Sequence, residues 1–199
     1  MKKFIILLSL IFSTSIFAEG FIDVPWGAGY KEIKKAEKGH KLKKKEVVEK
    51  FGDYVWNETI YTTEKDLKSA GTFKVEYILL KDKLIKGRFS QKIKNGNLDN
   101  YNKIKSILFS KYGNNNGQFI TSYYKTEGDK EYIQKKEVLS WDTEDTRIEL
   151  VLINQDEFMI NYYTLDDILI KFIEKTGLEH KKKQELELMK DSGYIEKFL

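Results

Sequence analysis

Imidazole and thiolate chemistry has little to work with in this chain, which contains two histidines, His40 and His180, and no cysteine in 199 residues. The histidines are far apart in sequence and sit in lysine- and glutamate-rich stretches, so neither zinc ligation nor thiol catalysis has support. Asp142, Glu144 and Asp145 in the run Trp-Asp-Thr-Glu-Asp-Thr put three carboxylates within four residues. Calcium would accept such a cluster, yet the glycine and the distal glutamate of a calcium loop are missing, and the run reads as a solvated turn. No Gly-x-Ser-x-Gly elbow and no phosphate-cradling glycine loop occurs. A pair of glycosidase-like carboxylates cannot be picked out of 31 acidic residues. A carboxylate-dependent hydrolase therefore stands only as the alternative, and no catalytic residue, metal or cofactor is expected.

Two charge runs and a set of aromatics remain. Lys41, Lys43, Lys44 and Lys45, and separately Lys181, Lys182 and Lys183, could meet anionic lipid, but Glu46, Glu49, Glu185 and Glu187 dilute both. With a formal net charge of only +4 the chain lacks the basic surplus that a nucleic-acid partner requires. Tyr54, Trp56, Tyr61, Tyr123, Tyr124, Tyr132, Trp141, Tyr162 and Tyr163 all fall in strand-like stretches. Side chains alternate along a strand, so one tyrosine of each adjacent pair, Tyr123-Tyr124 and Tyr162-Tyr163, must leave its neighbour's face. A face carrying Tyr123, Tyr124, Tyr162, Tyr163 and Trp141 would suit an envelope protein or a small apolar ligand. The opposing expectation is that the C-terminal helices cover that face.

The elements that must position these residues are strands first. Thr72–Gln91 and Thr146–Thr164 each contain two β-branched and aromatic runs around a polar break, Lys81-Asp82-Lys83 in one and Asn154-Gln155-Asp156-Glu157 in the other, which is the pattern of a hairpin. In the second, Ile148, Leu150 and Leu152 point one way and Arg147 and Glu149 the other. Tyr54–Thr63, Phe119–Lys125 and Tyr132–Trp141 read as further strands, with Gly128-Asp129 as a turn and Glu64–Gly71 as a loop. Helices are predicted at Tyr30–Ala36 and Leu42–Phe51, the second capped by Gly52. Another covers Leu98–Tyr112, with Asn97 as cap and Gly113 as stop. A Thr164/Asp167 capping box opens a helix that Gly177 ends, followed by a charged helix from Glu179 to Lys190. Tyr194, Ile195, Phe198 and Leu199 close the chain as a docking cluster. The fold class is α+β, an antiparallel sheet of about seven strands packed by helices, with residues 19–164 as the domain and 165–199 as a helical extension.

Residues 1–18 read as a secretory signal: Lys2 and Lys3, an apolar core from Phe4, and cleavage after Ala18 or, alternatively, after Ser15. The apolar run is short of a membrane span, so the mature chain is expected to have no transmembrane helix, and contact with a membrane surface stays open. Without cysteine there is neither a disulfide nor a lipid-anchoring residue, which places the product in the periplasm or outside the cell.

Phe21, Val24-Pro25-Trp26-Gly27, Tyr30 and Glu32-Ile33, followed by Leu108, Lys111-Tyr112-Gly113, Trp141 and Thr146-x-Ile148-x-Leu150, resemble a broad group of uncharacterised exported bacterial proteins. More distantly they resemble the β-lactamase inhibitor protein fold and the small outer-membrane assembly lipoproteins. The resemblance covers about Phe21–Thr164 and implies helix-then-sheet units, and its motifs are packing residues that are nearly silent on activity. Lys50-Phe51-Gly52 and Lys111-Tyr112-Gly113 recur, as do the hairpins, suggesting repeats at 26–93 and 97–164. The offsets differ by about a strand and a turn, so the first unit reads as helix plus three strands and the second as helix plus four. Chance recurrence within an α+β domain explains the same pattern. The expected function is that of an exported, non-enzymatic envelope binding module.

Overall fold

The computed structural model describes residues 20–51, 54–67, 70–127 and 130–191; the expected signal segment, the expected Gly52 cap, the expected Gly128-Asp129 turn and the closing apolar cluster lie outside the described residues. Two-residue strands β1 (Gly20–Phe21) and β2 (Val24–Pro25) turn through Ile22 and Asp23, both at positive φ. After α1 (Tyr30–Ala36) come β3 (Lys43–Phe51), β4 (Tyr54–Leu67), β5 (Gly71–Leu80) and β6 (Lys83–Lys92). Helix α2 (Asp99–Tyr112) leads to β7 (Gly117–Glu127), β8 (Lys130–Asp142), β9 (Thr146–Ile153) and β10 (Glu157–Thr164), and α3 (Asp167–Asp191) follows.

Strands β3 to β10 form one eight-stranded antiparallel sheet in the order β3-β4-β5-β6-β10-β9-β8-β7. Two four-stranded meanders are thus joined through their last strands, with Ile160 opposite Phe89 and Tyr162 opposite Gly87 at the seam. Both long hairpins are present, and each turns through two residues of positive φ, Lys81-Asp82 and Asn154-Gln155, a conformation whose twist matches that of the flanking strands.

The eighth strand comes from a stretch predicted to be helical. Lys43–Phe51 pairs with Tyr54–Thr62 across its whole length as the outer strand β3. Its lysines and glutamates suit an edge, where charge discourages pairing with another chain, and the helix-like spacing of Val47, Val48 and Phe51 was incidental. The first unit is therefore also a helix plus four strands. Likewise Glu64–Leu67 extends β4 and is not a loop. The C-terminal segment is one continuous 25-residue helix, with Gly177 buried inside it and not at its end.

Helix α2 follows its predicted spacing. Tyr101, Ile104 and Leu108 are buried and Gly113 (φ 76°) stops the helix, but the N-cap is Leu98 and not the expected Asn97, whose side chain, one residue earlier, accepts the Asp99 N–H at 2.8 Å. At α3 the cap is shifted: Asp166 accepts the Leu169 N–H at 2.8 Å, while Thr164 accepts that of Asp166 at 3.1 Å. Asp167 is thus inside the first turn and not the closing partner of a box.

Candidate functional site

Register divides the paired strand residues between two faces. On the inner face a row crosses the sheet from Tyr61 through Tyr77, Gly87, Tyr162 and Ile148 to Trp141. Beside it run Val75, Phe89, Ile160, Leu150 and Leu139, and α2 packs over them with Tyr101, Ile104 and Leu108. The missing side chain at Gly87 is filled by Phe21, whose ring lies 2.1 Å from where a Cβ would stand. That ring also meets Tyr77, Phe89 and Tyr162 with centroids 5.2 to 5.4 Å away. A glycine inside a strand often marks close approach by another group, and here that signal was available in the sequence.

Two of the five aromatics expected on a binding face therefore belong to the core. Trp141 is 1% exposed, donates its indole N–H to the Gly113 carbonyl at 3.1 Å and meets Phe109 edge-on. Tyr162 is buried beneath Phe21. The physical reason is register, since Tyr162 shares the row of Gly87, which only a side chain from outside the sheet could fill. Tyr123 and Tyr124 are on β7 opposite Gln134 and Ile133, and their side chains lie outside those described. Tyr163 alone of the five is described on the second face.

That second face is different in kind. Its central row runs Thr62, Glu76, Arg88, Asn161, Glu149, Ser140, Gly117. Glu76 is 5% exposed and takes Lys74 at 2.5 Å on one oxygen and Arg88 at 3.2 Å on the other. Arg88 also donates to Asn161 Oδ1 at 2.9 Å. In the adjacent row Tyr163 donates its hydroxyl to Glu149 at 3.0 Å, and the Lys86 ammonium sits 4.7 Å from the Tyr163 ring centroid. Arg147 grips Asp142 with two hydrogen bonds of 2.8 and 3.1 Å. Those bonds hold the Asp142 carboxyl below its usual range, and burial first, then Glu149, pushes the Tyr163 phenol well up. A buried charge is costly unless paired and hydrogen-bonded, so the network must form as a unit.

Arg88 and Arg147 are the only arginines among 35 basic residues, and both stand in this band. Arginine offers a planar fork that lysine cannot, and its rarity is the one signal in the sequence by which this band could be found. Helix α3 meets the body through Leu169 against Gly27, Phe172 beneath Lys83, Glu179 on Lys81 and packing along β4. Ile60, Ile78 and Leu80 are buried at the β4–β5 end of the second face.

The acidic turn is occupied by its own chain: Asp145 accepts from the Thr146 hydroxyl at 3.0 Å and Asp142 serves Arg147. Thr146 in turn accepts the indole N–H of Trp26 at 3.0 Å, so the opening Trp-Gly segment is tied to the start of β9. Among the described residues no group of three His, Asp or Glu is arranged to hold a metal, and no helix is long and apolar enough to cross a membrane. No family model, curated protein or solved structure matches the chain.

Proposed function

We propose that this protein is an exported, non-enzymatic binding module of the bacterial envelope whose recognition surface is the polar band of the second face. The observation that carries the reading is the Lys74-Glu76-Arg88-Asn161 network with Tyr163, Lys86 and Arg147 beside it. It is a preorganised set of charged and hydrogen-bonding groups on rigid strands, and Arg and Tyr are the residues that most often anchor protein interfaces. Lys74 and Arg147, each about half exposed, are the groups a protein partner would meet first. The equal helix-plus-four-strand composition of the two halves favours an internal duplication and agrees with the kinship implied by the opening motif.

The test is crosslinked capture of envelope proteins by the mature chain, comparing wild type with a Lys74→Glu, Arg147→Glu, Tyr163→Ala triple variant. Loss of a specific captured protein, with the melting temperature within a few degrees of wild type, supports the reading. Identical capture by both removes it.

A further inference from the structure

The outer strands of the large sheet, β3 and β7, hold equivalent places, each the first long strand after its helix, and among the described residues each pairs on one side only. They are unlike in composition. Lys43–Phe51 carries six charged residues in nine, which blunts an edge against pairing with another chain. Residues 117–124 of β7, Gly-Gln-Phe-Ile-Thr-Ser-Tyr-Tyr, carry none. Residues 118–122 are all exposed, so both faces of β7 are open there as well as its outer edge. Phe119, Ile120 and Ile133 gather at this margin, three of the five large apolar side chains exposed among the described residues. Such an edge offers its unpaired backbone groups to a further strand.

We propose that β7 pairs antiparallel with β7 of a second copy of this chain, about a two-fold axis at Ser122, closing a dimer in which the two sheets become one. The occupant is a second copy because the strand complements itself. About Ser122 all eleven residues of β7 are opposed: Thr121 meets the second copy's Tyr123, Ile120 its Tyr124, Phe119 its Lys125 and Gly117 its Glu127. No like charges face each other, and aromatic residues opposite β-branched ones are favourable cross-strand pairs. The register also extends a row already present. Ile133 lies opposite Tyr124 within one copy, so Ile120 of the other continues that row on the inner face, and symmetry makes the row twice. Pairing of β7 with a neighbour's β3 would grow without end, and the charges of β3 disfavour it. The dimer leaves both polar bands facing the same side and does not depend on what they bind.

The experiment is sedimentation equilibrium of the mature chain. One strand pair is a small interface, so wild type should pass from monomer to dimer in the micromolar range. Ser122→Lys and Ser122→Glu change an exposed residue and set like charges directly opposite each other; each alone should weaken the dimer about five-fold, and an equimolar mixture of the two should restore it. The chain has no cysteine, so Ser122→Cys should give a disulfide-linked dimer under mild oxidation. Gln118→Cys, whose two copies would stand about 27 Å apart along the strands, should not. A chain that stays monomeric throughout that range would leave the edge to a strand of another protein and overturn the proposal. Assembly beyond two copies, a dimer that Ser122→Lys leaves unchanged, or crosslinking at Gln118→Cys as ready as at Ser122→Cys would overturn it equally.

Discussion

Glu76 and Tyr77 are neighbours on β5, at 5% and 0% exposure, yet they are held by unlike forces. Tyr77 stands in an aromatic stack, with Phe21 packed across Gly87 against its ring and only its hydroxyl reaching a charged group, Glu37. Glu76 stands in a paired network where each polar group depends on its partners. The contrast teaches that burial alone does not identify a core. On the inner face a side chain added at Gly87 would run into Phe21, whereas on the second face removing one partner leaves a buried charge unpaired.

The strongest way to break this contrast is to add volume on the inner face. Gly87→Val should destabilise the protein by about 3 kcal/mol in urea unfolding, because backbone and Phe21 cannot both stay in place. Phe21→Ala in that background should return part of the loss, and strict additivity of the two changes would show that they do not meet. On the second face, Glu76→Ala should cost about 2 kcal/mol by leaving Arg88 and Lys74 without their buried carboxylate. Glu76→Gln should cost less, and equal costs would mean that charge pairing is not what holds the band.

The smallest effect concerns the helix that covers the inner face. Burial lowers the Lys111 pKa from 10.5 to about 8, so the folded state disfavours the proton that the unfolded chain keeps. Below about pH 8 the charged form destabilises the fold, and stability should rise with pH from there toward 10.5. The urea midpoint of Lys111→Met should lie above wild type at pH 7 and the gap should narrow as the pH rises from 8 toward 10.5, a gap that stays constant being the contrary result.

Much of the architecture was legible because alternation is a local signal. Ile148, Leu150 and Leu152 are buried while Arg147 is exposed, as the pattern demanded, and α2 follows its three-and-four spacing. Lys43–Phe51 misled because an edge strand and a solvated helix use the same lysines and glutamates, and only pairing to β4 distinguishes them. Gly177 misled because a glycine can end a helix or lie buried within one, and a single chain does not reveal its neighbours. Which tyrosine of 162 and 163 faces inward was decided by pairing with Gly87, a contact between residues about seventy-five positions apart.

That seam also orders assembly. Neighbouring strands within each meander are joined by short connections, so their pairings close small loops, whereas β6 reaches β10 only after the chain has bridged the helix and three further strands. Loop closure over such a span is slow, so the two halves should gain structure early and independently while the central strand pair zips last. The sheet is then completed from its margins toward its middle, and the residues at the middle govern the rate of the final step.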